Sequence, residues 1–115
     1  MSKAEFSVPA LTKNCNETLI LSYLAKGDKH GYQLALDIEE SSQAYFNFNH
    51  GTLYPILHKL EKEGLIKGHW RHEGPKRKRK YYSITRKGRD YLQVQLGEWN
   101  RFFEHFDAIV GGLKK

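Results

Sequence analysis

The chain is short of the residues that build disulfide-bonded, metal-bound or membrane-anchored proteins. It has one cysteine, Cys15, so no intrachain disulfide can form and no Cys-x-x-Cys metal pattern exists. No stretch approaches the roughly 20 apolar residues that a membrane-spanning helix needs, so no partner membrane is expected. The N-terminal residues MSKAEFSVPALTKN lack the apolar run of a secretory signal. A cytoplasmic protein is the default. A glycine-rich phosphate loop, a nucleophile elbow and a plausible carboxylate pair are all missing, which argues against an enzyme and leaves no cofactor expected. Six histidines raise the question of a metal. His69 and His72 are three apart, a spacing that sends strand residues to opposite faces, and only His50 or His58 could join them through folding. No metal site is expected. Cys15 reads as a packed thiol on the first helix. A redox switch is the weaker alternative, because only Lys13 is near enough to lower its pKa.

Acid is scarcest where base is most abundant. Lys67 to Arg89 holds ten Lys and Arg against one acid, Glu73, while the rest of the chain is slightly acidic; the net charge is +6. A basic patch of this kind is the electrostatic footprint expected for phosphates.

With 115 residues, one domain with one modest core is expected. Residues 1–11 read as a loose arm, with Pro9 opposing helix. Cys15, Leu19, Ile20, Tyr23 and Leu24 recur at helical spacing, with Thr12, Asn14 or Asn16 as cap and Gly27 as stop. A second helix is expected from about Lys29 to Ser41, capped by Asp28, with Tyr32, Leu34, Ala35 and Ile38 inward and Asp37, Glu39 and Glu40 solvated. In the connector Gln43 to Asn49, alternating Phe46 and Phe48 suggest a short extended piece. The third helix, His50 to about Glu63, places Leu53, Ile56, Leu57 and Leu60 on one face. Its other face carries Thr52, Tyr54, Pro55, His58, Lys59 and Lys62. Pro55 forgoes a hydrogen bond to the Gly51 carbonyl, a smaller loss near a helix start than in its middle.

After Gly64, Leu65 to Trp70 and Lys80 to Ile84 read as two strands turning at Gly74-Pro75, with five basic residues, Lys76, Arg77, Lys78, Arg79 and Lys80, in the loop between them. Like charges so close repel, so that loop is expected to be mobile without DNA. A helix beside a cationic hairpin is the layout of a winged helix, a helix-turn-helix variant that binds duplex DNA. The expected fold class is mainly α (α+β): a winged helix-turn-helix with a two-stranded β wing and a long C-terminal dimerisation helix. Residues 1–86 would form the DNA-binding part and 87–115 the dimerisation helix.

Thr85 caps that last helix. Leu92, Leu96, Trp99, Phe103, Phe106, Val110 and Leu113 are spaced alternately four and three apart, a coiled-coil seam. Phe102 and Ile109 widen the stripe. About 25 residues of helix span about 37 Å, more than a domain this size covers, so a second copy is expected to bury the far end. The alternative is that the helix folds back over its own core. Trp99, Phe102, Phe103 and Phe106 could line a slot for a small aromatic effector, or the rings could simply fill the interface. Glu98 and Asp107 are the acids placed to anchor a cation.

Sequence reading of DNA would fall to Asn49, His50, Thr52 and Tyr54 at the start of the third helix. Tyr54, His58 and Lys59 would also contact phosphates, and the wing cations would neutralise the backbone. Asn49 could equally be only a helix cap. The alternatives to a DNA regulator are a protein-interaction winged helix, which needs no such patch, and an RNA binder, which needs an exposed aromatic platform. Tyr81 and Tyr82 alternate, so one should face the core.

The combination His30-Gly31-Tyr32, Gly51-Thr52-Leu53-Tyr54-Pro55-Ile56-Leu57, Leu60-Glu61-Lys62-Glu63-Gly64-Leu65-Ile66, Lys80-Tyr81-Tyr82, and Thr85 with Gly88 resembles the PadR family of bacterial winged-helix transcription regulators. It covers most of residues 15–90. The resemblance implies a homodimer on inverted-repeat promoter DNA in the bacterial cytoplasm, associated with the nucleoid. It implies a repressor, released by a small molecule. It maps DNA contacts onto Thr52, Tyr54, Pro55, Lys59, the wing and Tyr32. The length is similar to the short subfamily with one C-terminal helix, where Trp99 matches an interface tryptophan beside which aromatic drugs bind. Pro75 to Lys80 departs from the pattern in being longer and more basic.

Overall fold

The computed structural model describes Leu11 and residues 14–111. The expectations for residues 1–10, for the Thr12 cap and for Leu113 lie outside the described residues. Leu11 itself is helical and buried, so the arm is not loose there.

Helix α1 (Cys15–Leu24) buries Ile20, Leu21 and Leu24 completely. Leu21 was absent from the expected stripe, and Cys15 is only partly buried. Asn14 occupies the cap position without a side-chain cap bond. The next residues correct the expected second helix. Lys29–His30 form a short strand, β1, and α2 spans Gly31–Ser41. The cap is His30, whose Nδ1 accepts from the Gln33 amide at 3.2 Å. Asp28 instead accepts from Arg71 at 3.0 Å. Tyr32 is 57% exposed, against its expected inward position. Leu34 and Ile38 set the buried face of α2, and a residue two positions from Leu34 is rotated about 200° around the axis.

No strand forms in the connector. Gln43 and Ala44 are left-handed (φ 53° and 66°), and the Ser42 hydroxyl accepts from the Phe46 amide at 3.0 Å. Phe48 is buried. Helix α3 spans His50–Lys62, and Asn49 caps it through Oδ1, which accepts from the Thr52 amide at 2.9 Å. Leu53, Leu57 and Leu60 are buried. Gly64 ends the helix at φ 79°, and the Leu65 amide returns to the Leu60 carbonyl while the Gly64 amide donates to Glu61. This is a Schellman closure, which uses a left-handed residue that glycine adopts without a Cβ penalty.

The chain turns directly into β2 (Ile66–His72) and returns as β3 (Lys78–Ile84). The antiparallel sheet has the order β1-β3-β2, with Trp70 opposite Lys80 and Gly68 opposite Tyr82. The wing hairpin is two-stranded as expected, with β1 added along β3 through Lys29↔Tyr82 and His30↔Tyr81. The basic run is divided differently from the expectation. Only Lys76 and Arg77 belong to the connection, and Lys78, Arg79 and Lys80 are in β3. The turn closes with Gly74 at φ 94° and the Glu73 amide donating to the Arg77 carbonyl at 2.7 Å, so the hairpin needs less loop than the charge run suggested.

Helix α4 spans Arg86–Val110, capped by Thr85 Oγ1, which accepts from the Gly88 amide at 3.0 Å. Leu92, expected in the seam with a second copy, is instead buried in the chain's own core, and Gln95 is buried too, where α4 begins its course beside α1. Farther along, Phe103 is 52% and Ile109 83% exposed. The molecule is accordingly elongated, with extents of 58 × 37 × 24 Å. Folding back over the core describes only the first half of α4.

Glycine at position 88 is required by contact. A Cβ there would lie 2.0 Å from the Leu65 carbonyl oxygen and 2.8 Å from Ile84 Cγ1. Gly88→Ala is expected to lower unfolding stability by about 2–3 kcal/mol, since backbone must move to admit it. Urea denaturation measures this, and a change well below 1 kcal/mol would mean that α4 does not sit this close to the sheet.

Candidate nucleic-acid interface

The outward side of α3 and one face of the wing border a common cleft of about 470 Å³. The face is assigned by register. Directly opposed residues of an antiparallel pair share a side, so Trp70 and Lys80 lie with Gly68 and Tyr82. Tyr82 is buried in the core, which turns this face towards α3. Lys80 reaches across to Glu61 of α3 at 3.1 Å. From the helix side the cleft receives Tyr54 and His58; from α2 it receives Tyr32.

The opposite wing face holds a dense polar and aromatic network. Arg71 lies 4.3 Å over the Tyr81 ring, His69 stacks on Tyr81, and the Tyr81 hydroxyl donates to Glu73. Arg79 pairs with Glu73 at 3.2 Å, and its guanidinium lies 2.8 Å from His30 Nε2. The Tyr81 hydrogen bond and then Arg79 hold the Glu73 carboxyl below the usual range, and the same hydrogen bond raises the Tyr81 phenol. The network fastens the hairpin to the β1–α2 junction.

The candidate residues therefore separate. Thr52, Pro55 and His58 are exposed on α3, as are Tyr32 on α2 and Lys76, Arg77 and Lys78 on the wing. None of those three cations takes part in an ion pair among the described residues. Arg79 and Lys80 are engaged within the protein. Lys59, expected at phosphate, directs its ammonium to the buried Glu17 of α1 at 2.6 Å, a hydrogen bond that raises its pKa. Asn49 uses its carboxamide oxygen in the cap, the same atom that bidentate adenine pairing would need. Of His50 only the backbone is described. Tyr54 is partly buried over Gly31, where an added Cβ would lie 2.7 Å from the phenolic oxygen. Gly31 thus allows the Tyr54 ring its place between the α2 start and the cleft.

Trp70 was not singled out by sequence reasoning. Its signal was available in the alternation of Gly68 and Trp70 against Lys80 and Tyr82, but reading it requires the strand register. The short β1 gave no signal, since two residues carry no periodicity.

A second cleft, of about 530 Å³, lies where α1 and the Tyr45–Phe46 connector meet α4; Cys15, Leu19, Leu96, Trp99 and Phe103 line it. Trp99 contacts Phe102 and Phe103 at 5.6 and 5.7 Å between ring centroids, and Phe102 stacks on Phe106. Burial pushes the Cys15 thiol up, which reduces its thiolate character. Glu98 pairs with Arg101 at 3.6 Å. Among the described residues no cluster of three metal-ligating side chains occurs, and His69 faces Asp28 while His72 is exposed.

The profile of the transcriptional regulator PadR-like family matches residues 20–94. The chain is 33% identical over 77 residues to the negative transcriptional regulator PadR of Bacillus subtilis, covering 67% of this chain and 42% of that protein. It thus spans less than half the length of that relative. An uncharacterised protein of Lysinibacillus sphaericus is 31% identical over 98 residues, 85% of this chain and 90% of its own. Among solved structures, a PadR-like regulator from Bacillus cereus superposes with a TM-score of 0.76 at 27% identity, over 87% of this chain and 95% of that one. Bacillus subtilis PadR in complex with operator DNA superposes with a TM-score of 0.66 at 30% identity, over 71% and 46% of the two chains.

The His30 cap gives this interface a pH signature. Burial and then the Arg79 guanidinium lower the His30 pKa below its ordinary value. The unfolded chain therefore takes up the proton first. Stability is whole above about pH 6.5 and declines as pH falls through that value towards the folded-state pKa. His30→Asn caps without titrating, and is expected to flatten the dependence of stability on pH between about 7 and 5. Parallel curves for the two proteins would show that His30 does not act this way.

Proposed function

Because the chain belongs to the transcriptional regulator PadR-like family, we propose that it represses transcription by binding an inverted-repeat operator in duplex DNA as a homodimer. The observation that carries this reading is the common cleft: the outward side of α3 and the cationic strand of the wing face the same space. The start of α3 enters the major groove, where Thr52, Tyr54, Pro55 and the adjoining Tyr32 meet base edges and backbone. His50, one residue after the cap, stands at the tip of that helix. Lys76, Arg77 and Lys78 neutralise phosphates, and His58 approaches the backbone from α3. Arg79 and Lys80 hold the wing in position through Glu73 and Glu61, and Lys59 holds α3 to α1 through Glu17. Asn49 serves as the cap. A protein of this kind acts in the cytoplasm at the bacterial nucleoid; among the described residues no helix is long and apolar enough to cross a membrane.

Dimerisation uses the exposed stripe of α4, including Leu96, Phe103 and Phe106, with Trp99 and Val110 at its margin. The cleft beside Trp99 and Phe103 is where a small aromatic effector would enter and loosen DNA binding by changing how the two copies meet. An RNA-binding role has less support, because Tyr82 is buried and Tyr81 is enclosed by His69 and Arg71, so neither offers a stacking platform.

Two outcomes test the reading. In duplex titrations, the Lys76→Ala/Arg77→Ala pair is expected to weaken binding on all sequences alike and to reduce the log–log salt slope by about 2. An unchanged slope would remove the wing from DNA. In sedimentation, the unmodified chain is expected as a dimer whose recognition helices are spaced about 34 Å apart, and Phe103→Glu as a monomer or unfolded. A monomeric unmodified chain would sink the dimer.

A further inference from the structure

Trp70 occupies an unusual place for a tryptophan. It is 65% exposed, although this residue type is highly buried on average and dominates contact energy where partners meet. It stands on the inner wing face opposite Lys80, in the cleft that α3 borders with Tyr54 and His58. Gly68, the next residue on that face, has no side chain to fill the space. A Cβ there would lie 2.3 Å from Lys80 Cε and 2.9 Å from Glu61 Oε2, so glycine leaves room for the Lys80–Glu61 pair. That pair draws the Lys80 ammonium towards α3, and the Trp70 side chain opposite it stays largely exposed. Lys78 lies at the rim, exposed and outside the protein's own ion pairs.

We propose that Trp70 is a DNA-contacting residue, and that the cleft between the wing and α3 seats one sugar–phosphate unit of the duplex backbone. The indole packs on deoxyribose while Lys78 and His58 flank the phosphate. The assignment rests on the DNA-binding reading above. It favours a nucleic-acid backbone over a protein partner because the apolar ring lies inside the most basic part of the chain, ten Lys and Arg against one acid. A sugar–phosphate chain offers both an apolar surface and an anion at a spacing of one unit. Duplex bases are stacked away from such a ring, so the contact positions the protein and does not read sequence.

This separates Trp70 from the wing cations by experiment. A fluorescently labelled duplex of mixed sequence is titrated with the unmodified chain, Trp70→Ala, Trp70→Phe and Lys78→Ala from low salt upward. Trp70→Ala is expected to lose roughly tenfold in affinity at every salt concentration with the slope unchanged, because no counterion is released by an indole. Lys78→Ala is expected to reduce the slope by about 1. The unmodified chain is expected to change its tryptophan emission on DNA addition, and Trp70→Phe, which retains Trp99, to lose that change. Wild-type affinity in Trp70→Ala, or an emission change that survives in Trp70→Phe, overturns the assignment while leaving the DNA-binding reading intact. Failure of the unmodified chain to bind duplex even at low salt overturns both.

Discussion

Three leucines of α3, Leu53, Leu57 and Leu60, determine which way the rest of that helix faces. All three are buried among residues of α1, α2 and the sheet, and each contributes about 1.5–3 kcal/mol by leaving water. A helix pinned along one stripe has no rotational freedom left. Thr52, Pro55 and His58 are consequently turned outward. The Schellman closure at Gly64 then sends the chain directly into β2, so the wing begins within one turn of the helix it must accompany. The relative placement of helix and wing follows from this burial and this stop, and the electrostatics of the surface are built upon it.

The charges on that surface have two distinct uses. Acids placed on the flanking elements engage some of the cations: Glu61 holds Lys80, Glu73 holds Arg79, Asp28 holds Arg71 and Glu17 holds Lys59. These mostly part-exposed pairs are individually weak. Their effect lies in direction: Lys80–Glu61 and Arg71–Asp28 fix the wing against α3 and the residue before β1, Arg79–Glu73 braces the hairpin, and Lys59–Glu17 ties α3 to α1. Lys76, Arg77 and Lys78 are left facing solvent, where mutual repulsion makes an anionic partner favourable. The same strand thus supports the wing with one part of its charge and offers the rest outward.

Helix α4 is coupled to the same core. Gly88 lets its first turn touch the Leu65 carbonyl, Leu92 enters the apolar cluster, and Gln95 follows with a buried carboxamide oxygen that no donor meets among the described residues. Beyond this point the aromatic stripe is left largely to solvent. An apolar stripe of that kind is the usual mark of a contact surface, so the first half of α4 is tied to the domain core while the second half carries the surface on which the proposed dimer rests.

The sequence by itself determined the elements with strong period or strong punctuation. Helix α3 follows from its leucine spacing with Asn49 and Gly64 at its ends, α4 from its heptad and Thr85, and the hairpin from Gly74-Pro75 between alternating strands. The family resemblance rested on these same residues, and the PadR-like profile bears it out. Local pattern could not decide what depends on neighbours distant in the chain. The start of α2 was misplaced because Lys29 and His30 pair with β3, fifty residues away. Tyr32 turned outward because Leu34 and Ile38 claimed the inside. A run of five cations looked uniform in one dimension, yet Arg79 and Lys80 found carboxylates while Lys76, Arg77 and Lys78 did not. Trp70 became a wall of the cleft only through its strand register. Periodicity and caps are properties of adjacent residues, whereas ion pairing, register and exposure are set by residues that meet only when the chain folds.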